Sequence, residues 1–274
     1  MIAPRACQAH PVGDEEVVLA GSRLNRVVRI GDTVRRPAGP WTPAVHALLR
    51  HVRHRGFALA PEPLGIDAQG REELVYIPGD TVGDQVPWPA WVWGDGLLEE
   101  VGRAVALYHR AVADFRPEGV IPWQMGAAEL RPGQIVCHHD IAPYNAVVVE
   151  GRLTGIIDWD LSGPGTPRSD LAFVAWQWVP LQHPAISQMF GWADPGGLAR
   201  RLRVLLDAYG LDDRNGFVDE VIARMHLNRD AMVQKAAEGV AGYVSLVQQG
   251  HVEGMDAAIS FLTEQRDSLE RQLG

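Results

Sequence analysis

The apolar residues of this chain change their spacing once, near residue 78, and that change limits the fold more than any other feature. Over residues 16–77 they come in short runs broken by turn residues, at 17–19, 26–30, 33–36 and 74–77, which is the pattern of β-strands. Gly31-Asp32 separates two of the runs as a tight turn. One helix intervenes over 43–55, where Val45, Leu48, Leu49 and Val52 share a face. Pro78-Gly79-Asp80 closes the region, and beyond it helical spacing takes over. Leu98, Val101, Val105, Tyr108 and Val112 form one stripe over 95–114, with Asp95 as its cap. Asp194-Pro195, then LARRLRVLLDAY and Gly210, supply a capping side chain, a first-turn proline and a terminating glycine for another helix. Two or three more fit 216–272. The reading is an α+β chain: a sheet-rich N-terminal lobe over 1–77, a hinge at 78–80 and a mainly helical lobe over 81–274.

Charge removes one class of partner. Against 34 acidic side chains stand 25 basic ones, a net −9, so no cation excess exists to neutralise a run of phosphates, and nucleic acid is not expected as a partner. The only lysine is Lys235; the other cations are arginine. Cys7 and Cys137 are too few and too far apart for a disulfide framework, which fits a reducing compartment. The first residues lack the apolar stretch of a signal peptide, and the longest apolar passage, 173–181, is far short of the ~20 residues that span a bilayer. A cytoplasmic protein without a membrane segment is expected.

The chemistry concentrates in residues 137–160, CHHDIAPYNAVVVEGRLTGIIDWD. Two β-prone runs, 146–149 and 153–157, are joined by Glu150-Gly151-Arg152 as a hairpin. Asn145 and Asp158 lie about equally far from its turn, so antiparallel pairing brings them together at the open end. One amide and one carboxylate suit a magnesium ion that keeps waters and takes its other ligands from phosphates. Asp140, five residues before Asn145 on an irregular loop, can accept a hydrogen bond from a substrate hydroxyl and orient it for in-line attack on a phosphoryl group. The run Cys137-His138-His139-Asp140 also contains four metal-ligand types, but neighbours in extended chain point to opposite faces and do not converge on one zinc ion. Trp176 and Trp178 read as core aromatics in preference to a substrate box. Asp207, Asp212, Asp213, Asp219 and Glu220 read as a solvated helix face in preference to a cation-attracting wall.

The segment resembles the H-x-D-x-x-x-x-N loop and the following I-D-W-D strand end of the aminoglycoside phosphotransferase and choline kinase-like family. Gly21, Ser22 and Asn25 are similar to its nucleotide loop, Leu74 to Gly79 to its interlobe segment, Leu107-Tyr108-His109 to its L-x-H helix, and PGTPRSDL at 164–171 to its G-D-P-x-x-D-L-A stretch. The resemblance covers roughly residues 20–175. It implies a two-lobed protein-kinase-like fold, with an antiparallel-sheet N-lobe bearing one helix and a larger helical C-lobe. It further implies ATP (or GTP) and Mg2+ as cofactors and a small-molecule hydroxyl as acceptor. Asp140 would be catalytic, Asn145 and Asp158 the metal ligands, His138 and Asp170 supports of the loop. Ser22 would meet the nucleotide, and backbone at Val75, Tyr76 and Ile77 would hold the base.

One departure stands out. Kinase-like folds hold phosphates with a small-lobe strand lysine paired to a helix glutamate. Here Thr33-Val34-Arg35-Arg36-Pro37 occupies the strand and no acid occurs over 42–56, where His46 is the polar residue near the expected place. Arg35 is the preferred substitute and Arg36 the alternative, since arginine keeps the charge with a different geometry. The missing pair opens a second reading, a nucleotide-binding or inert pseudokinase. A protein kinase fits less well, because only 11 residues separate Asp158 from Asp170 and leave little room for an activation loop.

Overall fold

In the computed structural model, which describes residues 15–19 and 26–273, the small lobe is one antiparallel sheet with a helix. Strands β1 (Val17–Val18), β2 (Val28–Ile30) and β3 (Thr33–Pro37) are followed by α1 (Thr42–His54), β4 (Pro63–Ile66) and β5 (Arg71–Val75), in the order β1-β2-β3-β5-β4. Val45, Leu48, Leu49 and Val52 are buried, as the spacing of α1 requires. Gly31 carries a positive φ of 56° in the β2–β3 turn. Strand β4 escaped the sequence reading because it opens on a proline and carries Gly65 where the register shifts, and both weaken a strand pattern.

The connection to the helical lobe is a close backbone contact. Asp80 exchanges both backbone hydrogen bonds with Val148, at 2.8 and 2.9 Å. Gly79 makes this approach possible: it sits at φ 148°, and a Cβ there would meet Val147 Cγ1 at 2.6 Å. Helix α2 (Asp95–Val112) follows, then β6 (Ile135–Cys137), β7 (Ala146–Val149), β8 (Arg152–Ile156) and β9 (Gly163–Gly165). Strands β7 and β8 form the expected hairpin, and β6 pairs with β9. No propensity announces β9, whose sequence is Gly-Pro-Gly; tertiary packing imposes its pairing.

Helices α3 (Pro167–Trp178), α4 (Pro184–Met189), α5 (Leu198–Tyr209), α6 (Phe217–Ala237), α7 (Ala241–Gln248) and α8 (His251–Leu273) complete the lobe. Two expected caps are corrected. Asp95 is the first residue of α2 and makes no cap; its carboxylate instead binds Arg201, 3.1 Å away, and Arg200. A 3-10 turn over Pro195–Gly197 separates Asp194 from α5, so Gly197 is the cap residue, while Gly210 terminates the helix in the left-handed region as expected. Trp159 and Trp178 are fully buried, each donating its indole N–H to a backbone carbonyl, of Ile156 and Ile141. Trp176 is buried too, so both α3 tryptophans belong to the core. No helix among the described residues is long and apolar enough to cross a membrane.

Candidate active site

Three backbone features bring the polar residues together. Strand β6 delivers Cys137-His138-His139 into the loop. A 3-10 turn, Pro143–Asn145, leads into β7. The β7–β8 hairpin returns the chain so that Ile157 N–H donates to Asn145 O at 2.9 Å, leaving Asp158 beside Asn145 at the open end. Asp158 adopts φ 61°, an uncommon left-handed conformation for a residue with a side chain.

Asp140 accepts a hydrogen bond on each carboxylate oxygen: from Tyr144 Oη to Oδ1 at 2.9 Å and from Asn145 Nδ2 to Oδ2 at 2.8 Å. The Asn145 nitrogen is thereby committed to Asp140, and its oxygen is the end that can face a cation. Burial, with the Asp158 charge, pushes the Asp140 pKa up to about 8 against those two hydrogen bonds. A divalent cation between Asn145 and Asp158 would pull it back toward the ionised form. The donor set, one amide oxygen and one half-exposed carboxylate, fits an oxygen-seeking ion that also binds phosphates and water.

The loop is held from behind. Asp170 accepts from the backbone N–H of His138 and His139, at 3.2 and 2.9 Å, and faces His109 Nε2 at 3.1 Å. Burial opposes its charge, but the His109 hydrogen bond, with help from Arg224, holds its pKa well below the usual carboxylate range. His138 accepts from Asp140 N–H at 3.2 Å and packs against Trp159. His139 stands at φ 70°, with Arg224 on its Nδ1 at 2.9 Å and on its carbonyl at 3.0 Å. Gly165 makes room for it, since a Cβ there would come 2.8 Å from the ring. Cys137, His139 and Asp170 do converge, with ligand atoms within 4.8 Å of one another. The buried Arg224 guanidinium already supplies the positive charge there, and the Asp170 oxygens are taken by N–H donors, so the cluster is a poor metal site.

Among the described residues of the sheet lobe, the cation that reaches this site is Arg36 and not Arg35. Alternation along β3 is the reason. Arg35 lies with Thr33 and binds Glu73 at 2.7 Å, with Asp67 at 3.6 Å. Arg36 faces the other way, reaching Asp158 at 2.9 Å and Asp160 at 2.7 Å while its Nε binds Glu72. Glu72 lies directly across from Arg36 in the β3–β5 register, is 1% exposed, and binds His46 of α1 at 2.8 Å. Burial disfavours the Arg36 charge, but Asp160, Asp158 and Glu72 outweigh it and raise its pKa. An acid that α1 lacks is thus supplied by β5, with the helix contributing His46.

Of the expected nucleotide residues, Val75 and Tyr76 donate their backbone N–H groups to Glu62 and Asp32, and the Ile77 side chain lies against Gly155 of β8. Ser22 lies outside the described residues. Sequence reasoning passed over Glu72, Tyr144, Asp160 and Arg224. Tyr144 carried a signal, its place between Asp140 and Asn145, and Asp160 another, its place at the end of the I-D-W-D run; Glu72 and Arg224 depend on register and on tertiary approach.

The model of the phosphotransferase enzyme family matches residues 127–205, which include the loop and the hairpin. The chain is 35% identical over 215 residues to the trifolitoxin immunity protein of Rhizobium leguminosarum bv. trifolii, spanning 76% of this chain and 80% of that protein. It is 28% identical over 112 residues to the viomycin phosphotransferase of Streptomyces vinaceus, 39% of this chain and 35% of that enzyme. Among solved structures, an amicoumacin kinase in complex with AMP-PNP, Ca2+ and Ami superposes with a TM-score of 0.60 at 12% identity, over 88% of this chain and 90% of that one. The GDP complex of aminoglycoside 2'-phosphotransferase-IIIa gives 0.56 at 13% identity, over 93% and 94%. At these identities the likeness to the solved structures is one of fold.

Proposed function

The chain belongs to the phosphotransferase enzyme family, and we propose that it moves the γ-phosphoryl group of ATP, with Mg2+, to a hydroxyl of a small molecule. The observation that carries this reading is the hydrogen-bonded Asp140–Asn145 pair beside Asp158 at the mouth of one hairpin. In this reading Asp140 orients the acceptor hydroxyl and accepts its proton, while the Asn145 oxygen and Asp158 would hold the metal, which would neutralise phosphate charge. His138 and Asp170 keep the loop in shape. The nucleotide would lie in the cleft at the 78–80 hinge between the 1–77 and 81–274 lobes, near Ile77. No observation favours a pseudokinase.

Arg36 takes the part of the strand lysine, steadied by Glu72 and His46. Its fork then exchanges Asp158 for phosphate oxygens when metal and nucleotide enter. Glu72→Gln should therefore raise KM for ATP about tenfold and lower kcat by less, because a neutral amide holds the guanidinium more weakly than a carboxylate does. Steady-state kinetics at saturating acceptor would read this, and an unchanged KM for ATP would remove Arg36 from the nucleotide site.

The direct test is calorimetric binding of AMP-PNP to the full chain, with ADP release measured over a panel of hydroxyl compounds. Binding should need Mg2+, and Asp158→Ala should raise the Mg2+ required at least tenfold. Nucleotide affinity indifferent to both would overturn the proposal. One relative is an immunity protein against a toxin and another a phosphotransferase for viomycin, so hydroxyl-bearing toxins and antibiotics belong in the panel beside amino alcohols and sugars.

A further inference from the structure

Between Ile135 and Val148 the chain is packed away from solvent at every position but two. Asp140 is half-buried and Tyr144 is 40% exposed. A large aromatic side chain left open in so closed a segment gains little from burial, so packing does not account for its place. Its chemistry does point somewhere: the phenol donates to Asp140 Oδ1 at 2.9 Å.

The two carboxylate oxygens of Asp140 are not equivalent. Oδ2 accepts from Asn145 Nδ2, and the same nitrogen donates to the Asp140 carbonyl at 3.0 Å, so both amide hydrogens of Asn145 tie the two residues together. That tie has to survive the reaction, because it is what turns the Asn145 oxygen outward. An acceptor hydroxyl therefore has to approach Oδ1. There Asp140 already holds a hydroxyl of its own chain, that of Tyr144.

The backbone under Tyr144 is fixed. It lies in a 3-10 turn between Pro143, whose ring sets φ, and Asn145, whose N–H donates to Ala142 O at 3.0 Å before the chain enters β7. The phenol therefore leaves Asp140 by rotation of its side chain, with the Asn145 amide kept in place.

We propose that Tyr144 is a specificity-determining residue of the acceptor site: its phenol holds the place of the acceptor hydroxyl on Asp140 and keeps water from that oxygen until an acceptor displaces it. Water competes with every phosphoryl acceptor, at far higher concentration. A single water has to replace the phenol through one hydrogen bond, whereas the tethered phenol gives up no translational freedom by staying. An acceptor that binds through the rest of its surface has the binding energy to turn the ring out. The phosphoryl group is thereby kept for a bound hydroxyl compound. This rests on the phosphotransferase reading above and adds to it how the site tells an alcohol from water.

The experiment follows release of inorganic phosphate from ATP in Mg2+ by the full chain with no acceptor added. In that side reaction the water oxygen bonds to the γ-phosphorus, the bond from that phosphorus to the ADP oxygen breaks, and the water proton passes to Asp140. Tyr144→Phe removes only the hydroxyl and should raise the rate about tenfold, the scale of one hydrogen bond to a charged group. Calorimetric affinity for AMP-PNP should stay within twofold of wild type. Tyr144→Ala should raise the rate at least as much, and Asp140→Asn in the Tyr144→Phe background should remove the gain. A rate unchanged or lower in Tyr144→Phe, with AMP-PNP still bound, would overturn the proposal; a lower one is what a hydrogen bond that merely steadies Asp140 predicts. A gain that survives Asp140→Asn would also overturn it. So would phosphate found on Tyr144 itself by mass spectrometry, which would make the phenol an acceptor and not a placeholder. Failure of the underlying reading looks different: wild type and variants alike would then bind no AMP-PNP in Mg2+, and both readings would fall together.

Discussion

Asp140→Asn should lower kcat about 10^3-fold with any acceptor while leaving AMP-PNP affinity in Mg2+ within twofold of wild type. The size follows from what the residue does in the proposed reaction. Asparagine is nearly the same shape: its oxygen can still accept from Asn145 Nδ2 while its NH2 donates to the Tyr144 hydroxyl, so the loop keeps its geometry, but the side chain can no longer take a proton from the attacking hydroxyl. Positioned bases contribute roughly 10^2–10^4 in rate. Asp158 and the Asn145 oxygen, which would hold the metal, are untouched, so the ground-state complex survives. Stopped-flow or coupled ADP assays with calorimetric binding separate the two quantities, and a variant that loses both together would place Asp140 in nucleotide binding instead.

The pH dependence of the wild type carries the same logic. Burial, with Asp158, pushes Asp140 up to about 8, and only the ionised form can accept a proton. Activity should therefore rise with pH on its acid side. More Mg2+ should move that limb to lower pH, since a cation favours the carboxylate. Asp140→Asn should leave whatever activity remains flat over the same range.

How far the sequence revealed this site depends on how local each relationship is. Asp140, Asn145 and Asp158 were legible because one hairpin and one five-residue spacing relate them. The division into a sheet lobe and a helical lobe was legible because hydrophobic period is a local property. Arg36 was visible only as an alternative to Arg35, because deciding which face of a five-residue strand meets the cleft requires the neighbouring strands. Glu72 carried no signal at all: it reaches Arg36 through the β3–β5 register, across 36 positions of chain. Arg224 is more remote still, joined to His139 across 85 positions. The cap expected of Asp95 failed for a related reason. Arg200 and Arg201, far along the chain, offer Asp95 a charged partner stronger than its own helix end.

Asp170 shows how the buried scaffold and the chemistry are coupled, and it supports the second large effect. Its carboxylate is 1% exposed and stands between the backbone N–H groups of His138 and His139 and the His109 ring, with Arg224 close enough to be felt. Asp170→Asn removes the charge that balances Arg224 and turns an N–H2 group toward donors, leaving buried polar groups mismatched. Breaking a buried, hydrogen-bonded charge set of this kind costs about 3 kcal/mol, roughly 6–12 °C in melting temperature for a chain of this size. Because the folded pKa of Asp170 is depressed, its contribution is full above the unfolded carboxylate value near 4 and fades as pH falls below that. The wild type and Asp170→Asn should thus differ most in urea midpoint at pH 7 and converge as the buffer is taken from pH 4 toward pH 3. A gap of the same size at both ends would mean that shape, and not charge, is what Asp170 supplies. His139 stands at a positive φ that its side chain disfavours, so the loop should relax once the carboxylate no longer grips its N–H. Asp170→Asn should then lose activity at temperatures where it is still folded, with Asp140 displaced and not removed.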